Sequence, residues 1–153
     1  GISGQTTPQM LLRFRQDVIE LKPKIVVILA GINDIAQNTK YYGIKEVSWN
    51  ILSMVELSKA NDITPIVCSV LPADKFVWNP KIIPTELVKK LNNELALLSK
   101  EKNFLFLDYY KSMNNGFGGM KLELTNDGVH VTKDGYSLMA NLVNKSIKET
   151  LNK

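Results

Sequence analysis

Among 153 residues there are one cysteine, one histidine and two arginines, and each scarcity excludes something. The lone Cys68 lies in the apolar run Ile66-Val67-Cys68-Ser69-Val70, so no internal disulfide framework exists and the redox compartment stays open. His130 has no second His or Cys nearby in sequence, which argues against a structural zinc site, and no other pattern calls for a metal or organic cofactor. The net charge is +4, yet the only arginines are Arg13 and Arg15 and the lysines are interspersed with Asp and Glu. Phosphate recognition favours clustered guanidinium groups, so the charge describes a solvated surface and no nucleic-acid partner is expected. No apolar run is long enough to span a bilayer. Gly1-Ile2-Ser3-Gly4-Gln5 has neither a basic start nor an apolar stretch, so no signal peptide is visible. A leader upstream of Gly1 would place the protein in the periplasm or outside the cell; without it the compartment is open.

What is present is 44% hydrophobic and 22% charged, the balance of one globular domain over 1–153. Helical and strand patterns alternate without repeat or linker. Thr7-Pro8 reads as an N-cap with proline at the first helical position, followed by Leu11, Phe14, Val18 and Leu21 at helical spacing up to Pro23. Lys24 to Ala30 is a β-branched run closed by Gly31, the pattern of a strand. Ile44, Val47, Ile51 and Val55 mark a second helix, and Thr64 to Leu71 a second strand. Pro84-Thr85-Glu86 opens a third helix, and Phe104 to Leu107 forms a third strand. Thr132 caps a last helix with Tyr136, Ala140, Val143 and Ile147 on one face.

Strands separated by helices imply right-handed crossovers and a parallel sheet between helical layers. The run 24–30 lacks alternation, as interior strands do, yet among three strands it would lie at an edge. Such an edge invites pairing. Either one or two strands precede residue 1, or copies of the chain associate through strand 24–30.

Ligands of open α/β sheets bind beyond the carboxyl ends of the strands, and the chemically able residues gather there. In Asn126-Asp127-Gly128-Val129-His130 the carboxylate can fold back onto Nδ1 of the imidazole, which leaves Nε2 as a general base. These residues alone fit a surface turn with an incidental histidine equally well. In Gly31-Ile32-Asn33-Asp34 the Asn33 amide can point an N–H into the crevice, while Asp34 caps the loop or the following turn; an Asx-turn is the competing reading. Gly4, in a turn of small residues, lets backbone N–H groups approach a ligand. Phe76 and Trp78, after the second strand, either line the crevice or cover the core, and Tyr109 and Tyr110 are packing residues.

Ile2-Ser3-Gly4-Gln5-Thr6-Thr7, Gly31-Ile32-Asn33-Asp34 and Asp127-Gly128-Val129-His130 together resemble three of the four signature blocks of the SGNH (GDSL-like) hydrolases, in the family's order and over essentially the whole chain. The resemblance implies a flavodoxin-like three-layer α/β/α sandwich. It also implies that His130 is the general base, Asp127 its orienting carboxylate, and Gly4 and Asn33 the oxyanion donors. Gln5 stands where many members have an acidic residue. The family's Gly-Asp-Ser block, with the nucleophilic serine, has no counterpart here, and no Gly-x-Ser-x-Gly elbow occurs either. Ser3 matches the oxyanion turn, and Ser69 lies in a strand.

The expected function is therefore that of a serine esterase acting on short-chain esters, an acetyl ester of a carbohydrate among them, inactive as these 153 residues because the serine is absent. The alternative is a non-catalytic domain that binds carbohydrates or esters. A phosphate-handling domain is disfavoured, since no glycine-rich phosphate loop precedes a helix.

Overall fold

The computed structural model describes residues 1–152. Three parallel strands, β1 (Ile25–Ile28), β2 (Thr64–Cys68) and β3 (Leu105–Leu107), form a sheet in that spatial order. β1 aligns Ile25 with Thr64, and β2 aligns Ile66 with Leu105. Helices α1 (Thr7–Phe14), α3 (Ile44–Lys59) and α4 (Thr85–Glu101) join residues of β1 and β2 in a core that includes Val47, Ile51, Leu91 and Leu95. A smaller cluster of Cys68, Tyr109, Met113, Met120 and Leu124 packs with α5 (Tyr109–Met113) and α6 (Lys133–Leu151). Val67 belongs to the first cluster and Cys68 to the second, as the two-residue period of a strand requires. The result is the expected α/β architecture, a parallel sheet with helices against both faces. Fully burying each of Ile51, Leu91 and Leu95 contributes about 1.5–3 kcal/mol, so the first core anchors the fold.

Several local expectations shift. The first helix is capped by Thr6, not Thr7, because Thr6 and Gln9 close a capping box: the Thr6 N–H donates to Gln9 Oε1 at 3.0 Å. Its continuation is a π-helical turn over Arg15–Ile19, where the Glu20 N–H donates to Arg15 O at 2.9 Å. Two short helices stand where loops were expected, α2 (Ile32–Ile35) and α5. In the last helix Tyr136 and Ala140 are exposed, and the packed face is carried by Leu138, Met139, Leu142 and Val143. The second strand ends at Cys68 because Asn92 replaces a neighbouring strand: it donates to Val70 O at 2.9 Å and accepts from Val70 N–H at 2.7 Å.

β1 lies at the sheet edge. Its Val27 is 40% exposed, which departs from burial on both faces. A groove of about 540 Å³ runs beside it, lined by Met10, Phe14, Val18, Val26, Val27 and Ile28 among others. Among the described residues no helix is long and apolar enough to cross a membrane.

Candidate active site

The carboxyl ends of the strands gather the three sequence blocks. Beyond β1 the chain turns at Gly31, whose φ of 117° is left-handed. A Cβ there would stand 2.7 Å from Leu91 Cδ2, so the turn requires glycine on both conformational and steric grounds. It leads directly into α2, which points consecutive side chains to different tasks. Asp34 is 1% exposed and reaches the start of α1: the Thr7 N–H donates to both its oxygens at 3.0 Å, and Thr7 Oγ1 donates at 2.6 Å. It thus caps a distant helix rather than its own loop. Burial raises its pKa, opposed by the hydrogen bonds from Thr7.

Asn33 ties the first two blocks together. Its Nδ2 donates to Gln5 O at 2.9 Å, and its Oδ1 accepts from Asn38 Nδ2 at 3.1 Å. Asn38 also donates to Gly4 O at 3.3 Å. Gly4 adopts φ 76°, and Gln5 accepts from Arg13 Nε at 2.6 Å. Asn38, unnoticed in the sequence, and Thr7, read there only as an N-cap, thereby set how the Gly4 turn meets Asn33. Neither of these roles carries a local signal, because the Thr7–Asp34 and Asn38–Gly4 contacts each span more than 25 residues.

The third block is organised by Thr125, also missed. Its hydroxyl donates to His130 O at 2.7 Å and accepts from the Gly128 N–H at 3.0 Å. Asp127 Oδ1 accepts from the backbone N–H groups of Val129 (2.9 Å) and His130 (2.8 Å), while Oδ2 pairs with His130 Nδ1 at 2.6 Å. Partial burial alone would raise the Asp127 pKa, but the His130 ring and the two N–H groups together bring it down to about 2. The His130 side chain is 74% exposed, and Trp78 lies against it with ring centroids 5.9 Å apart. Trp78 is 47% exposed, whereas Phe76 is fully buried beneath it, centroids 5.2 Å apart. Phe76 therefore supports Trp78 from the core and has no surface of its own to line a crevice. Tyr109 is buried, in line with packing. Ser69 is also fully buried, its hydroxyl accepting from the Tyr110 N–H at 2.8 Å, so it cannot serve as a nucleophile.

An apolar cavity of about 70 Å³ lies between the blocks, lined by Ile32, Val70, Ala73 and Val129 among others. Ile32 and Val129 are the chain neighbours of Asn33 and His130, so two separate sequence blocks border one space. Among the described residues no group of three or more His, Cys, Asp or Glu side chains is placed to hold a metal ion.

The GDSL-like Lipase/Acylhydrolase family matches residues 1–138. The chain belongs to that family. A crystal structure of a GDSL-like lipase from Bacteroides thetaiotaomicron superposes with a TM-score of 0.96 at 43% identity, over 98% of this GDSL-like chain and 74% of the other. An acetylxylan esterase from Geobacillus stearothermophilus shares the fold, with a TM-score of 0.78 at 24% identity over 96% and 69% of the two chains. An uncharacterised lipoprotein, YqeF, of Bacillus subtilis is 39% identical over 77 residues, which is 47% of this chain and 31% of that protein's own length. Family membership supports ester hydrolysis in general terms.

Proposed function

We propose that this GDSL-like chain carries the general base, its orienting carboxylate and two oxyanion donors of a short-chain ester hydrolase, and that a serine outside these 153 residues is the nucleophile. The observation that carries this reading is the Asp127–His130 couple, 2.6 Å at Nδ1, beside a cavity shared with the Asn33 block. Asp127 holds the proton on Nδ1, and the exposed ring keeps Nε2 open to a serine hydroxyl. His130 takes that proton as the serine oxygen attacks the ester carbonyl. The tetrahedral oxyanion then receives hydrogen bonds from the Gly4 N–H and the Asn33 side chain. Asn33 suits this role because one amide proton is committed to Gln5 O, which fixes the direction of the other. One such donor contributes about 10²–10³ in rate. His130 next protonates the departing alcohol, and water releases the acid. The small cavity supports an acetyl-sized acyl group. On this reading the 153 residues alone are inactive, and a strand bearing the serine fits the open edge of β1.

In the protein that carries its serine, His130→Ala lowers kcat on a short-chain aryl ester by about 10³-fold or more. Turnover that survives the substitution removes His130 from its role. The lack of Gly-Asp-Ser in this chain favours a second reading, a carbohydrate- or ester-binding domain without catalysis. A fluorophosphonate probe separates the two: the hydrolase labels on serine, the binding domain does not.

A further inference from the structure

Helix α2 ends in a left-handed turn that folds the chain back on itself. Gln37 takes φ 57°, its N–H donates to Asp34 O at 3.0 Å, and the Asn38 N–H donates to Asn33 O at 3.1 Å. This pair of bonds is a common helix closure, and here it fixes the Asn38 backbone beside Asn33. The Asn38 side chain makes a second link to the same residue, Nδ2 donating to Asn33 Oδ1 at 3.1 Å. It makes a further one to Gly4 O at 3.3 Å. One exposed amide thus joins the two loops that carry the proposed oxyanion donors. Water offers an exposed amide equivalent partners, so these bonds add little to folding stability and more to local geometry.

We propose that Asn38 is a positioning residue for turnover: it keeps the Asn33 carboxamide in its donating orientation and holds the Gly4 turn at a fixed spacing from it. The inference rests on the ester-hydrolase reading, in which Gly4 and Asn33 are the oxyanion donors. A carboxamide has nearly the same shape in two orientations related by a half-turn, and only one of them presents N–H groups where a donor is needed. In the orientation adopted, Nδ2 meets Gln5 O at 2.9 Å and Oδ1 meets Asn38 Nδ2. A half-turn would set oxygen against Gln5 O and nitrogen against Asn38 Nδ2, two acceptors together and two donors together. Gln5 O lies one residue beyond Gly4 O, the carbonyl that Asn38 holds directly. Both restraints on Asn33 therefore depend on Asn38, one through its own amide and the other through the turn. Asn38 itself has no need to reach substrate.

Substitutions in the protein that carries its serine test this, with hydrolysis of a short-chain aryl ester as the readout. Asn38→Ala removes both side-chain bonds and should lower kcat by about tenfold with KM changed less than about twofold, because the loss falls on the transition state. Asn38→Asp keeps the size but sets a carboxylate oxygen against Asn33 Oδ1 and Gly4 O. It favours the half-turned amide and should cost about a hundredfold in kcat, as loss of a donor does. Urea midpoints of both variants should stay close to wild type. In an Asn33→Ala background Asn38→Asp should lose most of its effect, since one residue acts through the other. Unchanged kcat in both variants, losses that follow the urea midpoint, or an undiminished effect of Asn38→Asp in that background each overturn the positioning role. Failure of the ester-hydrolase reading looks different: Asn33→Ala by itself would then leave turnover intact.

Discussion

Both oxygens of Asp127 are committed, one to two backbone N–H groups and one to the imidazole, and every one of these partners favours the ionised carboxylate. Its pKa falls from an ordinary 3.8 to about 2. A lowered carboxylate pKa contributes stability that is present above the unfolded value and lost as pH drops through the folded one. The wild-type advantage over Asp127→Asn should therefore hold above pH 4 and vanish towards pH 2, followed by urea unfolding at each pH. The pair is open to water, so the stability effect is small. The kinetic effect is not. On the proposed reading an amide in place of the carboxylate cannot hold the proton on Nδ1 in the same way, and in the protein that carries its serine turnover at neutral pH should fall by about 10³-fold or more. A variant with undiminished turnover would show that the imidazole needs no orienting carboxylate here. Asp34, by contrast, is fully buried and carries a raised pKa, so its ionised form is held at a cost set against the hydrogen bonds from Thr7. Two carboxylates at the same end of one sheet are thus held differently, Asp34 by a helix start and Asp127 by an imidazole, and only the second has a proposed chemical role.

At the scale of elements, the short helix α2 decides the geometry of two blocks at once, since it carries both Asn33 and Asp34. Its entry turn depends on Gly31. Gly31→Ala must adopt a φ of 117° and place its methyl 2.7 Å from Leu91 Cδ2 and 3.2 Å from Val70 Cγ2. The expected cost is about 2–4 kcal/mol, seen as a lower urea midpoint, because strain and overpacking act together. An unchanged midpoint would mean that Leu91 yields freely. The same helix shows where sequence reading stops. Periodicity located the long amphipathic helices and the β-branched strands, whose signals are local and repeated, although it put Tyr136 and Ala140 on the packed face of α6, where they are exposed. Four residues after a glycine have no period to read, so α2 looked like a loop. The π-helical turn at Arg15–Ile19 left no mark either, since Val18 keeps helical spacing on both interpretations. Asp127 and His130 were legible because they lie three residues apart; the contacts of Asn38 and Thr7 span 34 and 27 residues and were not.

Across the whole molecule, the site and the open sheet edge are one problem. β1 pairs with β2 on one side only, and beside its other flank runs the groove, where Arg13, Gln16 and Asp17 join the hydrophobic side chains. Unpaired strand N–H and C=O groups next to aliphatic side chains form a template for a further strand. β1 leads through the Gly31 turn into α2, which carries Asn33, so on the proposed reading a strand added along β1 would emerge beside the proposed oxyanion donors. In these 153 residues the edge should drive concentration-dependent association, measurable by sedimentation velocity. Val27→Lys places a charge on that 40% exposed position and should shift the distribution towards monomer, as charged side chains do on natural edge strands. If both proteins sediment as monomers at every concentration, the edge does not recruit a second copy. If both associate equally, contact lies elsewhere. Association that the lysine abolishes would place the contact at the β1 edge, where on the proposed reading the strand bearing the serine would also pair.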